Sequence, residues 1–159
     1  MSGRTLLALI GANIMGSLSP ALFADAFAAA GIEGFYHLMD VERLRERRLA
    51  RLLDAIRIAG FAGANITYPF KQEVIALLDS VDPEAAQIGA VNTIAIAPDG
   101  RTTGYNRACS ARGIERRCLT DPDIGLFSCH RSRRIRSGGD LTPDYVDVTA
   151  EIVQLVRKS

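Results

Sequence analysis

The chain has 159 residues, 48% of them hydrophobic, and its 19 basic and 18 acidic residues leave a formal net charge of +1. That apolar content supports the core of one domain, and the near-neutral charge gives no electrostatic case for binding nucleic acid or an anionic membrane. Apolar runs fall short of the ~18 residues of a membrane span, and three cysteines without C-x-x-C spacing argue against a secreted disulfide framework, so we expect a cytoplasmic protein without a signal peptide.

The first predicted elements are a strand and a helix. Residues 4–11 contain a continuous apolar run that ends in glycine, which is typical of a strand buried on both faces. Residues 17–31 predict a helix that is capped by Ser19, has Pro20 in its first turn and ends at Gly31.

The alternation of strands and helices continues to residue 106. In chain order we predict a strand at 34–41, a helix at 42–60, a strand at 61–67, a helix at 70–79, a short helix at 82–89 and a hairpin at 90–106. Strands that alternate with helices indicate a parallel sheet, and one hairpin within it makes the sheet mixed. The predicted fold class is therefore α/β, with a mixed, mostly parallel sheet and helices on both of its faces in three layers.

The composition changes after Asn106. Between residues 107 and 136 there are eight arginines and three acidic residues, and the apolar periodicity disappears. We therefore divide the chain into a domain at 1–106, an arginine-rich, irregular segment at 107–141 and a C-terminal helix at 142–159.

The arginine-rich segment carries donor atoms that suit zinc. They belong to Cys109, Cys118, Cys129 and His130. Zinc sites pair their cysteines as C-x₂₋₄-C, whereas eight and ten residues separate the cysteines here, so we expect no metal site. We also expect no binding of nucleic acid.

The loop "GANIMG" at 11–16 follows the first strand, as a phosphate-binding loop would. It is not followed by Gly-Lys-Ser or Gly-Lys-Thr, and G-x-G-x-x-G occurs nowhere in the chain. The loop instead brings Ser17 and Ser19 to the amino end of a helix, where hydroxyls and backbone amides together suit a carboxylate. The alternative is that one serine caps the helix and the other is solvated.

A second polar group lies in "GANITYPFKQEV" at 63–74. Asn65 and Thr67 close the third strand, at the end where open α/β sheets bind ligands, and Lys71 follows. A partly desolvated lysine can take a proton from an alcohol, although a lysine near a helix start is often merely exposed. Asn92 and Asn106 lie in the predicted hairpin, where such residues usually cap backbone groups. Together these side chains suit a small polyhydroxylated acid.

Three stretches resemble the amino-terminal, substrate-binding domain of the shikimate dehydrogenases and their quinate/shikimate-oxidising relatives. They are "GSLSPALF", "GANITYPFKQEVIALLDSVDPEAAQIGAVNTI" and "GRTTGYN", and the resemblance covers residues 5–106. It implies that Ser17 and Ser19 hold the substrate carboxylate. It also implies that Thr67, Asn92 and Asn106 bind ring hydroxyls of shikimate, quinate or 3-dehydroshikimate. Lys71 is implied as the general base or acid at the hydroxyl that is oxidised.

The chain departs from the family pattern after Asn106. The pattern continues with Thr-Asp, whose aspartate partners the lysine, whereas this chain has Arg107 and Ala108. Losing that carboxylate removes an orienting hydrogen bond and a charge that favours the protonated lysine. The family's NADP or NAD is bound by a Rossmann domain, and we expect none in residues 107–159, which lack its glycine fingerprint. A shifted reading frame or an internal deletion would account for the change.

Two functions stay open. The first is a shikimate/quinate dehydrogenase-type, NAD(P)-dependent oxidoreductase in a truncated or frame-shifted form that retains the substrate site. The second is a non-catalytic module that binds shikimate or quinate, or one half of a split enzyme. A neighbouring reading frame with G-x-G-x-x-G and no substrate domain of its own would favour the second.

Overall fold

The computed structural model describes residues 4–106, so the predictions made for 107–141 and 142–159 lie outside the described residues. The strands are β1 (Thr5–Gly11), β2 (Gly34–Asp40), β3 (Gly63–Ile66), β4 (Ser80–Val81), β5 (Thr93–Ile96) and β6 (Thr102–Tyr105). The helices are α1 (Ser19–Ala29), α2 (Leu49–Ile58), a 3₁₀ helix (Glu73–Leu77) and α3 (Pro83–Ile88). Within this part of the chain, no helix has the length and apolar character needed to cross a bilayer.

The six strands form one mixed sheet in the order β2-β1-β3-β5-β6-β4. β1 pairs in parallel with β2 and β3, and β4 pairs in parallel with β6, while β5 runs antiparallel to both β3 and β6. One row of paired residues crosses five of the strands, through Leu38, Leu9, Asn65, Thr93 and Tyr105. The prediction of a mixed, mostly parallel sheet that contains the β5–β6 hairpin is confirmed.

Helices cover both faces of the sheet because β1 alternates its side chains between two cores. Leu7 and Leu9 pack in the core beneath α1, whereas Ala8 and Ile10 pack in the core beneath α2. All four side chains are at most 1% exposed, and burying an aliphatic side chain of the size of leucine contributes about 1.5–3 kcal/mol. The three-layer prediction is confirmed.

The second predicted helix begins later than the sequence indicates. α2 starts at Leu49 rather than at residue 42, and Arg48 before it has extended backbone angles. The charged residues from 42 to 48 are exposed, so they make no buried contacts that would pack a helix against the sheet. Leu49, Leu53 and Ile56 are buried, and the helix extends only over the segment that they anchor.

The segment after the third strand also differs from its prediction. Instead of an α-helix over 70–79, the chain forms the 3₁₀ helix Glu73–Leu77 and then the two-residue strand β4, which the sequence analysis missed. The backbone becomes extended at Leu78 so that Ser80 and Val81 can pair with β6. The residues that precede β4 are therefore too few for the α-helix predicted over 70–79.

We predict that Asp79→Asn destabilises the fold near neutral pH. The Asp79 carboxylate accepts hydrogen bonds from the backbone N–H (2.7 Å) and the hydroxyl (2.8 Å) of Thr102, and from Arg57 (2.9 Å). The Thr102 backbone contact first, then its hydroxyl, holds the pKa of Asp79 below its ordinary value of 3.8. Because the folded-state pKa is lowered, this stabilisation is present above pH ~4 and is lost as the pH falls through the folded value.

Urea unfolding followed by circular dichroism between pH 7 and pH 3 measures this effect. The wild type should be more stable than Asp79→Asn at pH 7, and the difference should shrink towards pH 3. Asp54→Asn, on the exposed face of α2, is the matched control and should show no such convergence. A wild-type advantage that is constant over the whole range would contradict the assignment.

Candidate functional site

The candidate residues lie where four strands begin or end at one edge of the sheet. β1 and β3 are parallel neighbours and both end there, while β5 begins there because it runs antiparallel to β3. β6, antiparallel to β5, ends there as well. We call this side of the molecule the carboxyl edge. Crevices outside the carboxyl ends of strands are where open α/β sheets bind ligands.

The serine pair, Ser17 and Ser19, follows β1 at the carboxyl edge. Ser19 was predicted to cap α1, and this is wrong, because Ser19 is the first helical residue and Leu18 precedes it without a side-chain cap. Ser17, one residue before Leu18, contacts the start of α1, since its Oγ accepts a hydrogen bond from the Ser19 N–H (3.1 Å). A hydroxyl also carries one donor, so the Ser17 O–H can still donate to a ligand. Ser19 is 4% exposed.

Thr67 lies directly after β3 and packs against the end of β1. Its N–H donates to the carbonyl of Ile10 (3.0 Å), and its side chain is 6% exposed. A Cβ at Gly11 would overlap the Thr67 methyl group and approach the carbonyl of Tyr68 to 3.0 Å. Gly11 is therefore required for Thr67 to reach its position.

Lys71 is partly buried in the turn that follows Thr67. The turn is closed by a hydrogen bond from the Phe70 N–H to the Thr67 carbonyl (2.9 Å). The Lys71 carbonyl accepts a hydrogen bond from the Val91 N–H (2.8 Å), which joins this turn to the residue preceding Asn92. The structure thus brings Lys71 and Asn92 onto hydrogen-bonded segments of the same edge.

Asn92 and Asn106 are hydrogen-bonded to each other. The Asn92 amide donates to Oδ1 of Asn106 (3.1 Å), and the Asn106 amide donates to the carbonyl of Ala90 (3.1 Å). Asn92 is 3% exposed, and its backbone N–H donates to the carbonyl of Tyr105. Asn106 therefore orients Asn92, a role that the sequence analysis did not assign to it.

Three further polar residues hold Asn92 from the interior of the sheet. The Tyr36 hydroxyl donates to Oδ1 of Asn65 (2.9 Å), and the Asn65 amide donates to the Thr93 hydroxyl (3.2 Å) and the Asn92 carbonyl (3.3 Å). The Thr93 hydroxyl donates in turn to Oδ1 of Asn92 (2.9 Å). We call the five hydrogen-bonded residues Tyr36, Asn65, Asn92, Thr93 and Asn106 the asparagine network. Because each bond has a fixed direction, the network sets which way the Asn92 amide points.

Tyr36 is not among the candidate residues predicted from the sequence, although one signal pointed to it. A tyrosine in a buried strand needs a partner for its hydroxyl. Identifying Asn65 as that partner requires the register across β1, which brings residues 36 and 65 onto the same face.

The turn between β1 and α1 does not fit the pyrophosphate of a dinucleotide. The backbone N–H groups of Asn13 and Ile14 donate to the carboxylate of Asp40 (3.1 and 2.9 Å), so an anionic side chain already occupies them. Hydrogen bonds from backbone N–H groups, that of Glu42 first, hold the pKa of Asp40 below its ordinary value. These observations agree with the missing G-x-G-x-x-G motif.

Other features of residues 4–106 contribute no candidate residue. No group of three or more His, Cys, Asp or Glu side chains in this range is placed to hold a metal ion. A cleft of about 350 Å³ lies at the opposite end of the sheet, lined by Asp79, Ser80, Arg101 and Thr103 among others. The cysteines and the histidine considered for zinc lie outside the described residues.

Comparisons with known proteins agree with the geometry. The family model described as "Shikimate dehydrogenase substrate binding domain" matches residues 9–94. The chain is 48% identical over 114 residues to the quinate/shikimate dehydrogenase (NAD(+)) of Corynebacterium efficiens. This alignment covers 69% of this chain and 40% of that protein.

Two solved structures are similar to the described part of the chain. The quinate dehydrogenase of Corynebacterium glutamicum in complex with NAD has a TM-score of 0.63 and 41% identity, over 67% of this chain and 39% of that one. The shikimate 5-dehydrogenase of Thermus thermophilus in complex with NADP(H) and shikimate has a TM-score of 0.60 and 39% identity, over 65% and 38%. The chain thus spans about two fifths of the length of the relatives that it matches.

We predict that Thr93→Val destabilises the fold by about 1–3 kcal/mol, because it leaves the buried Asn65 amide and Oδ1 of Asn92 each without one hydrogen-bond partner. Valine has nearly the same shape as threonine, so little packing is lost. The free energy of unfolding from urea titrations measures the effect. Thr103→Val is the matched control, since its hydroxyl contacts Ser80 at the opposite end of the sheet and its loss should cost less than about 0.5 kcal/mol. Equal effects of the two substitutions would contradict the role of the asparagine network.

Proposed function

The chain belongs to the family of shikimate dehydrogenase substrate-binding domains, and from that premise we propose that its carboxyl edge binds shikimate, quinate or 3-dehydroshikimate. The observation that carries the proposal is the convergence of three polar groups on one edge: the serine pair, the Thr67–Lys71 turn and the asparagine network. A small acid with several ring hydroxyls needs such a combination of donors and acceptors. The similar shikimate 5-dehydrogenase of Thermus thermophilus is known in complex with shikimate, which supports the choice of ligand.

The serine pair is proposed to hold the carboxylate of the ligand. Ser17 accepts the Ser19 N–H through a lone pair of Oγ, so the hydroxyl proton is directed away from that contact. A hydroxyl that donates to a carboxylate makes a charge-assisted hydrogen bond, which is stronger than one between neutral groups. The start of α1 adds a favourable helix dipole for an anion.

The ring hydroxyls are proposed to bind Thr67, Asn92 and Asn106. Hydroxyl groups both donate and accept, and the side chains of threonine and asparagine can match either role. Thr67 and Asn92 are at most 6% exposed, and their immediate surroundings hold them in place. Little conformational entropy is therefore lost when they bind the ligand.

Lys71 is proposed as the group that takes or returns the proton of the reacting hydroxyl. The Val91 N–H donates to the Lys71 carbonyl and so joins its turn to the Asn92 segment, which supports a role next to the residues proposed to bind the ring hydroxyls. Oxidation of an alcohol also needs a hydride acceptor, which NAD or NADP supplies in the relatives named above. The turn between β1 and α1 does not fit the pyrophosphate of such a cofactor, because Asp40 occupies its backbone N–H groups, and we therefore assign residues 4–106 the substrate half of the reaction.

Ala108 stands where the family pattern has the aspartate that partners the lysine. We therefore expect substrate binding to be better preserved in this chain than proton transfer.

We propose the cytoplasm as the location of the protein, because its cysteines lack the spacing of a disulfide framework.

The test is isothermal titration calorimetry of the 159-residue chain with shikimate. We expect saturable binding that Ser17→Ala weakens roughly 10–150-fold, which corresponds to the ~1.5–3 kcal/mol of a hydrogen bond to a charged group. Lys71→Ala should weaken binding less, by about 2–10-fold, because a lysine that acts as the proton-accepting base is neutral and its hydrogen bond to the ring hydroxyl joins two neutral groups. Ser80→Ala, an exposed serine at the opposite end of the sheet, is the matched control and should leave the Kd unchanged.

Circular dichroism establishes that each variant is folded. A folded wild-type chain that shows no saturable binding of shikimate or quinate would contradict the proposal. Equal weakening by Ser17→Ala and Ser80→Ala would refute the assignment of the carboxylate to the serine pair.

A further inference from the structure

We propose that Asp40 is a positioning residue that holds the serine pair in place for the carboxylate of the ligand. This inference rests on the proposed function, because it concerns the same site. Asp40 ends β2, next to the end of β1, where Gly11 is its register partner. It contributes to the site through the turn between β1 and α1, which carries Ser17 and leads into Ser19, the first residue of α1.

The Asp40 carboxylate binds the turn through both of its oxygens. Oδ1 accepts hydrogen bonds from the N–H groups of Asn13 (3.1 Å) and Glu42 (2.8 Å). Oδ2 accepts one from the N–H of Ile14 (2.9 Å). One side chain thus joins β2 to the beginning of the turn.

The turn needs such a tie because its backbone has an unusual conformation. Asn13 has a φ of 57°, in the left-handed region that L-residues seldom adopt and that asparagine tolerates better than most. The next residue, Ile14, is 6% exposed and packs in the core beneath α1. The turn is therefore held by a charged contact at its backbone and by an apolar contact at one side chain.

A continuous series of hydrogen bonds leads from Asp40 to the serine pair. The Ile14 N–H donates to Asp40, and the Ile14 carbonyl accepts from the N–H of Ser17 (2.9 Å). Oγ of Ser17 then accepts from the N–H of Ser19 (3.1 Å). A displacement of Ile14 would consequently move Ser17, and through it the direction of the hydroxyl that faces the ligand.

Asparagine cannot replace Asp40 in this arrangement. An asparagine side chain has one oxygen and one NH₂ group, whereas both carboxylate oxygens of Asp40 face backbone N–H groups. In either orientation of the amide, its NH₂ group would meet at least one N–H donor. The substitution therefore breaks the tie while it preserves the size of the side chain.

The test compares two ligands that differ in charge. Calorimetric titrations of the 159-residue chain use shikimate, which carries a carboxylate, and shikimate methyl ester, which does not. We expect Asp40→Asn to weaken shikimate binding about tenfold and to change the Kd of the ester by less than about twofold. A substitution that merely loosened the fold would weaken both ligands alike.

Amide hydrogen exchange provides a second readout that does not need a ligand. Asp40→Asn should accelerate exchange at Ile14, Ser17 and Ser19, and leave the amides of the asparagine network unchanged. The matched control is Asp99→Asn, because Asp99 also accepts a backbone N–H in a turn, from Arg101 (3.0 Å), but at the opposite end of the sheet. Asp99→Asn should change neither the Kd of shikimate nor exchange at the serine pair.

The outcomes separate this inference from the proposed function. A wild-type chain that binds neither ligand overturns the proposed function, and exchange at residues 13–19 then decides whether Asp40 positions the serines. Unchanged exchange in Asp40→Asn overturns the inference, whatever the wild type binds. Equal weakening of shikimate and its ester by Asp40→Asn also overturns it.

Discussion

The Asn65 side chain is 2% exposed; its amide nitrogen has a partner on the neighbouring strand β5, and its amide oxygen has one on β2, across β1. An amide buried in a sheet without partners would cost several kcal/mol, so its surroundings have to supply them. Tyr36 on one side and Thr93 on the other are these partners. The Thr93 hydroxyl also donates to Oδ1 of Asn92 and so fixes the orientation of that amide. The orientation of a side chain at the carboxyl edge is thereby set by a residue inside the sheet.

The same edge also depends on a close approach between β1 and the segment after β3. Gly11 leaves room for the Thr67 methyl group, and the Ala12 N–H donates to the carbonyl of Tyr68 (2.9 Å). These contacts hold the start of the Thr67–Lys71 turn against β1. Because the Lys71 carbonyl accepts from Val91, the other end of the turn is tied to the segment that carries Asn92. The turn is thus held at both ends, which gives Thr67 and Lys71 fixed positions relative to Asn92.

Sequence patterns were sufficient to predict the fold class because the spacing of apolar residues indicates which side chains are buried. The buried side chains determine which faces of the helices and strands pack together. They were less reliable for boundaries: α2 begins at Leu49 because the preceding arginines have nothing to pack against, although their helix propensity is good. The prediction that Ser19 caps α1 was wrong because Ser19 is the first helical residue and its N–H donates to Ser17, an arrangement that the local conformation decides and the sequence pattern does not. Tyr36 and Asp40 were not identified, because their partners Asn65, Asn13 and Ile14 are distant in sequence and become neighbours only through the register of the sheet.

β2 supports both halves of the candidate site, although none of the proposed ligand-binding residues lies on it. Tyr36 begins the neutral network that orients Asn92, and Asp40 holds the turn of the serine pair with a charge. The two supports suit the two ends of the proposed ligand. Ring hydroxyls are neutral and require amides of fixed direction, whereas a carboxylate requires donors that keep their place despite its charge. We therefore expect β2, a strand at the edge of the sheet and remote in sequence from the binding motifs, to affect the affinity for each end of the proposed ligand separately.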